Sequence, residues 1–243
     1  MPPFFRGKEN MNKSFKDYLH GSLNPKTAID KIKYDIQFAK EHPDFFDPCG
    51  FINFSGGQGD GKTSTAVMYI HNLVLQYPKV IIVSNCGIHF PDWDGVILPY
   101  QGFEQIQNLD NGYMGIILFL DEIQAEFCSL ESSKIDPCWF QIISQQRKRR
   151  LHVVGTSQLF DRIAKCWREQ FTACIACSEI LNLIQICSIV CQDDVVENEK
   201  GEVISYQTRD RRFWFRDIRV YDWYDTWERV KKVETRKKEG VKR

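Results

Sequence analysis

Between residues 51 and 155, short continuous apolar runs alternate with stretches whose apolar positions recur every three or four residues. Phe51–Ser55, Val80–Ser84, Gly115–Leu120 and Leu151–Gly155 are of the first kind, the pattern of strands buried on both faces of a parallel sheet. Thr63–Tyr77 is of the second kind, with Ala66, Ile70, Leu73, Val74 and Tyr77 on one face and Pro78 as its stop. Pro137–Arg150 likewise predicts a helix carrying Trp139, Ile142 and Ile143. Residues 85–113 are looser, with Phe103–Leu109 as a candidate helix. Upstream, Asn24-Pro25 supplies an N-cap and a first-turn proline for a helix carrying Ile29, Ile32, Ile36 and Ala39, ended by His42-Pro43.

Beyond residue 170 the period changes. Cys174–Val196 and Val203–Phe215 are β-rich and straddle a turn signal at Asn198–Glu202, which predicts a hairpin or small antiparallel addition. The expected fold is therefore α/β: a mostly parallel, doubly wound sheet flanked by helices, with a C-terminal β-hairpin extension. The expected organisation is an arm and helix over 1–45, a main domain over 46–228 with its β-rich extension at 170–228, and a tail over 229–243.

Length and composition change this picture little. A chain of 243 residues, 43% hydrophobic and 26% charged, can bury one good α/β core and is ordinary for a globular protein. Lys+Arg and Asp+Glu both number 32, so net charge neither supports nor excludes a nucleic-acid partner. Basic residues crowd only the tail (Lys231, Lys232, Arg236, Lys237, Lys238, Lys242, Arg243), which reads either as a solvated terminus or as a contact for DNA or phosphate. Met1–Asn12 lacks the apolar core of a signal peptide, and no run reaches the roughly 18 apolar residues that span a bilayer. With nine cysteines, an odd number, the expectation is a soluble cytoplasmic protein with reduced thiols. Cys174-x-x-Cys177 and Cys187-x-x-x-Cys191 have metal-like spacing, but the isoleucine-rich surroundings read as core strand.

The chemistry is concentrated in three places. Gly56-Gly57-Gln58-Gly59-Asp60-Gly61-Lys62-Thr63 matches the phosphate-loop (Walker A) pattern G-x-x-x-x-G-K-[ST] in full, between a strand and an amphipathic helix. Small residues let polyphosphate approach backbone N–H groups, and the helix that begins there, through Ser64, points its positive end at the same charge. Lys62 is a cation for the β- and γ-phosphates, and Thr63 is a hydroxyl ligand for Mg²⁺. The second place is the acidic pair Asp121-Glu122 after an apolar strand, with Asp121 expected to hold Mg²⁺ through water and Glu122 to polarise an attacking water. The third is Val153–Gln158, whose Gln158 is placed to sense the γ-phosphate. Arg147 and Arg149, in the run Arg147–Arg150, are candidates for an arginine supplied to a neighbouring subunit, or simply a cationic helix end. Arg168 is a weaker candidate for the same task. Asp92-x-x-Gly95 fits a GTPase pattern, but no N-K-x-D motif follows, so GTP specificity has no support.

Together, F-S-G-G-Q-G-D-G-K-T-S at 54–64, V-I-I-V-S-N at Val80–Asn85, I-I-L-F-L-D-E-I-Q at Ile116–Gln124 and V-V-G-T-S-Q at Val153–Gln158 resemble the zonular occludens toxin family. That family lies within the broader FtsK/HerA group of DNA-translocating and packaging P-loop ATPases of phage and mobile elements. The basic cluster Arg147–Arg150, the segment Phe160–Arg168 and Y-D-W-Y-D-T at Tyr221–Thr226 agree with it, and the likeness covers roughly residues 50–228. The resemblance implies ATP hydrolysis with Mg²⁺ and a homo-oligomeric ring, often a hexamer, with nucleotide between subunits. It also implies work on DNA, moved into a capsid or across a membrane with a partner protein. The filamentous-phage branch carries a membrane-spanning segment after its ATPase domain, and the present sequence has none there, which favours a packaging motor over extrusion. A third expectation is a nucleotide-dependent switch that controls a protein partner.

Overall fold

A computed structural model describes residues 24–127, 138–160, 163–191, 194–197 and 203–225. The expected arm (1–23), the turn signal at 198–202 and the basic tail lie outside the described residues. The chain divides into two compact units, Met1–Pro43 and Asp44–Arg243.

In the first unit, α1 (Pro25–Glu41) is the expected helix: the Asn24 side chain accepts the Lys26 N–H at 2.9 Å, and Pro25 occupies the first turn. Its apolar stripe stays in solvent, with Ile29, Ile32 and Ile36 each more than half exposed.

The second unit is built on one eight-stranded sheet. In chain order its elements are β1 (Gly50–Ser55), α2 (Lys62–Gln76), β2 (Ile81–Ser84), β3 (Ile97–Pro99), α3 (Phe103–Asn108), β4 (Ile116–Leu120), α4 (Cys138–Ser144), α5 (Gln146–Arg149), β5 (Leu151–Ser157), α6 (Lys165–Arg168), β6 (Ala173–Ile180) and β7 (Ile184–Cys191). A small separate pair, β8 (Val195–Glu197) and β9 (Val203–Tyr206), precedes β10 (Asp210–Phe215). The sheet order is β10-β7-β6-β1-β5-β4-β2-β3. Strands β6 to β3 in this order run parallel, whereas β7 pairs antiparallel to both β6 and β10.

Alternation along the buried strands sorts the core into two layers. Ile117, Phe119, Val154 and Phe54 join Ala66, Val67, Ile70 and Val74 of α2 on one face. Leu118, Leu120, Val153 and Phe51 join Trp139, Ile142, Ile143 and Trp167 on the other. All five residues of β4 and all seven of β5 are buried, which is why both read as unbroken apolar runs. Among the described residues, no helix is long and apolar enough to cross a membrane.

The structure departs from the sequence expectations at three points. Strand β3 falls in the segment expected to be loose; it is three residues long, lies at the sheet edge and ends at Pro99, so it has no pattern to read. The helix expected over 137–150 is two pieces that meet at Gln145: core packing ends at Ile143, and both Lys148 and Arg149 direct their N–H groups to the Gln145 carbonyl. The main hairpin turns at Leu181-Asn182, inside what reads as one β-rich stretch. Both residues have positive φ (54° and 55°), and the Leu183 N–H bonds to the Ile180 carbonyl at 3.0 Å. This turn needs two left-handed residues, but glycine, its usual signal, is absent. The turn signal at 198–202 instead separates β8 and β9.

Candidate functional site

Strand register brings the three chemical segments to one edge of the sheet. Strand β5 lies between β1 and β4, with Ser55 opposite Ser157 and Leu120 opposite Gly155. The residues that follow each strand therefore emerge side by side at the C-terminal ends, where open parallel sheets bind ligands.

Residues Gly56–Gly61 leave β1 as a loop and deliver the chain to α2 with Gly61 in the left-handed region at φ 76°. A β-carbon on Gly56 would sit 2.8 Å from the Cys177 carbonyl oxygen, so backbone packing requires glycine there. The Gly56 N–H bonds to the Ser157 carbonyl at 3.2 Å, tying the loop to β5. Asp60 folds back, its carboxylate accepting the Gly57 N–H at 2.6 Å, while Gln58 and Gly59 form the exposed crown. Ser64 donates to the Gly61 carbonyl at 2.9 Å.

Lys62 is buried at 8% exposure, with Nζ 3.6 Å from Oε1 of Glu122. Thr63 donates its hydroxyl to Oδ1 of Asp121 at 2.9 Å. The Asp121 carboxyl is held above the usual carboxylate range, first by burial and to a lesser degree by Glu122, against hydrogen bonds from Thr156 and Thr63 and the charge of Lys62. A half-buried carboxylate beside a threonine hydroxyl is a hard-oxygen pair suited to Mg²⁺. The residues present therefore fit the metal.

Among the described residues Glu122 is the one acidic residue with positive φ (50°), a conformation that costs a side-chain-bearing residue about 1–2 kcal/mol. Such strain persists where surrounding contacts fix it, and here they do. Its N–H donates to Thr156 Oγ1 at 2.9 Å, and its carboxylate accepts from the amide of Gln124 and, at 3.5 Å, from Gln158. Thus Gln158 does meet the acidic pair.

The cluster includes residues that sequence reasoning passed over. Thr156 donates to Asp121 Oδ1 at 2.6 Å while accepting the Glu122 N–H, so one hydroxyl sets the spacing of both acids. Asn85, after β2, exchanges two bonds with the Asp121 backbone, at 2.8 and 2.9 Å. A polar residue closing an apolar buried strand was the available signal for both. Gln124 had no signal beyond proximity in sequence.

The arginines separate. Arg149 donates to the carbonyls of Ile106 (3.0 Å) and Gln107 (2.7 Å) near the end of α3. Arg150 stacks over the Phe45 ring at 3.8 Å, and Arg168 is buried with its guanidinium over Phe160. Arg147 is exposed. Asp92 accepts from the buried His71 on α2 at 2.8 and 3.0 Å and so braces that helix. Tyr221–Asp225 folds back on the chain after β2, where His89 donates its N–H to the Trp223 carbonyl at 2.7 Å and Tyr224 bridges Ile88. Cys177 and Cys187 face each other across β6 and β7, sulfurs 3.8 Å apart in the core.

No family model matches the chain, and no curated protein sequence does. Solved structures do. The N-terminal domain of zonular occludens toxin from Neisseria meningitidis superposes with a TM-score of 0.51 at 13% identity, covering 73% of this chain and all of that one. The genome packaging NTPase B204 from Sulfolobus turreted icosahedral virus 2, in complex with ATP-gammaS, gives 0.46 at 10% identity, covering 65% and 97%. The chain has the P-loop NTPase fold, in the arrangement also found in the zonular occludens toxin N-terminal domain.

Proposed function

We propose that residues 46–228 form an ATPase domain that binds ATP with Mg²⁺ at Gly56–Thr63 and hydrolyses it, as the motor of a DNA-translocating or packaging ring. The observation that carries the hydrolytic part is Glu122, held in a strained backbone conformation with its carboxylate 3.6 Å from the Lys62 ammonium. A loop that merely bound phosphate would have no need of that carboxylate.

In this reading the N–H groups of Gly61, Lys62 and Thr63 bind the polyphosphate, that of Gly57 being taken by the Asp60 carboxylate, and Lys62 compensates its charge. Thr63 and Asp121 would hold Mg²⁺, which supplies charge neutralisation at the β- and γ-phosphates. Glu122 takes the proton of the attacking water. Gln158, in contact with Glu122, reports occupancy of the γ-phosphate position to the segment that follows β5. Arg147 is the residue we propose for stabilising the reaction in a neighbouring subunit of a homo-oligomeric ring, hexamer favoured, because Arg149 is engaged with α3 carbonyls of its own chain. Mixing Arg147→Ala with Glu122→Gln subunits restores activity if the two act across a boundary; no recovery at any ratio removes the proposal.

The DNA step rests on the resemblance of the motifs alone, as does a capsid or membrane partner; placement in a host cytoplasm rests on the cysteine usage and the lack of a signal-peptide pattern in Met1–Asn12. Steady-state turnover with and without duplex DNA tests the DNA step. Stimulation by DNA that vanishes in Glu122→Gln is expected; equal and very slow turnover in both conditions would leave only a nucleotide-dependent binding switch.

A further inference from the structure

The C-terminal extension reaches the phosphate loop through one side chain. Arg216, immediately after β10, is buried to 10% side-chain exposure and spreads its guanidinium over four acceptors. Its Nη2 donates to the Gly59 carbonyl at 2.9 Å, and Nε donates to Oε1 of Gln185 at 3.1 Å. Nη1 pairs with Glu179 at 2.8 Å and also donates to the side chain of Asn182, in the β6–β7 turn. Gln185 is 1% exposed, and its amide donates to the Asp60 carbonyl at 2.8 Å and to the Ser178 carbonyl at 3.1 Å. Two successive carbonyls of the loop, Gly59 and Asp60, are thereby held by two side chains from the antiparallel flank.

The peptide group converts this into a statement about phosphate binding. In a planar trans peptide the carbonyl of one residue and the N–H of the next point in opposite directions. Fixing the Gly59 and Asp60 carbonyls toward Arg216 and Gln185 turns the N–H groups of Asp60 and Gly61 the other way. The Asp60 N–H accordingly points across the loop, 3.3 Å from the Gly57 carbonyl. Four of the eight loop residues are glycines, which hold no conformation by themselves. The brace also packs directly on Gly61: a β-carbon there would lie 2.1 Å from Gln185 Oε1 and 2.4 Å from Arg216 Nη2.

We propose that Arg216, with Gln185, is a positioning residue for nucleotide binding: it fixes the outward carbonyls of the phosphate loop so that the inward N–H groups are set before the polyphosphate arrives. The proposal rests on the reading of Gly56–Thr63 as a nucleotide site. Arg216 is not a group for the chemistry itself, because its donors are engaged by acceptors of its own chain. The task suits arginine: a planar fork can serve a carbonyl, an amide oxygen and a carboxylate at once, whereas an ammonium serves fewer directions.

The test compares equilibrium affinities for ATP and ADP in wild type, Lys62→Ala, Arg216→Ala and Arg216→Lys, with thermal melting of the nucleotide-free proteins as the control for folding. In Arg216→Ala both affinities are expected to fall together by about tenfold or more, since both nucleotides use the same N–H groups, and the kinetic defect falls on KM rather than kcat. Arg216→Lys, which can keep the pair with Glu179 but not the whole fork, is expected to show a smaller loss of the same kind, and it carries the test if the alanine variant does not fold. Wild-type affinity for both nucleotides in a folded Arg216 variant overturns the proposal, and so does a fall in kcat at unchanged affinity. If wild type binds ATP no better than Lys62→Ala, the nucleotide-site reading itself fails and the brace falls with it. If only the Arg216 variants match wild type, the brace alone is wrong.

Discussion

The parallel and antiparallel parts of the sheet serve the same loop by different physics. In β4 and β5 every residue is buried and in β1 half are, and apart from Asn53 in β1 and His152 in β5 the polar residues stand where the strands end. Those ends carry Asp121, Glu122, Thr156 and Gln158, the start of α2 adds Thr63, and the cluster is made by register. The antiparallel flank is half open: Phe213 and Phe215 on β10 are 75% and 71% exposed, and Leu181 in the turn is 90% exposed. Its contribution comes through Gln185 and Arg216, whose side chains hold loop carbonyls, with Glu179 paired to Arg216. In the proposed reading one region supplies the reacting groups, and the other supplies their orientation.

The sharpest way to break this division is at Lys62. Lys62→Ala is expected to lower ATP affinity by roughly a hundredfold or more if, as proposed, the buried ammonium meets the β- and γ-phosphates. Titration calorimetry reads it, and wild-type affinity would mean that the site lies elsewhere.

Stability separates the two regions next. Phe119 in the middle of β4 is fully buried between β5 and β2, so Phe119→Ala is expected to destabilise by about 3–5 kcal/mol in denaturant unfolding. A loss below 1 kcal/mol would contradict the close packing assigned to the parallel core.

Acid should unfold the parallel core by a related route. His152 on β5 is buried, Nδ1 donating to the Gly50 carbonyl at 3.1 Å and Nε2 accepting from the Tyr69 hydroxyl at 2.8 Å, a neutral ring. Burial lowers its pKa to about 4, against the opposing effect of the Gly50 bond. The unfolded ring titrates near its ordinary value, so below about pH 6.5 the unfolded chain binds a proton that the folded chain refuses. Stability from this residue is present above pH 6.5 and falls by about 3 kcal/mol as pH drops toward 4. Melting as a function of pH should show that slope in wild type and most of it missing in His152→Gln; equal slopes would contradict the burial argument.

The smallest effect belongs to the open flank. Phe213→Ser is expected to change stability by no more than about 0.5 kcal/mol, since little apolar area leaves water there on folding. A loss above 2 kcal/mol would show that β10 packs as the parallel strands do.

The same contrast explains what could be read from the chain. Strands β1, β2, β4 and β5 were legible because burial on both faces leaves continuous apolar runs. The loop between β1 and α2 was legible as a turn because four of the eight residues from Gly56 to Thr63 are glycines. Thr156 and Asn85 were half legible, as polar ends of apolar strands whose partners only the register reveals. The turn at Leu181-Asn182 was not legible, because the left-handed conformations are imposed on residues that do not advertise them. Nor was Arg216, which lies 157 positions from the Gly59 carbonyl it holds and sits in a segment of alternating charge and aromatic character. Contacts of that kind belong to tertiary structure and have no local pattern.

If Glu122 converts nucleotide binding into hydrolysis, as proposed, a single-turnover measurement with saturating protein reads the conversion by itself. Glu122→Gln should bind ATP within a fewfold of wild type but release phosphate about a hundredfold or more slowly. Phosphate release at the wild-type rate in that variant, with ATP bound equally well, would contradict the account.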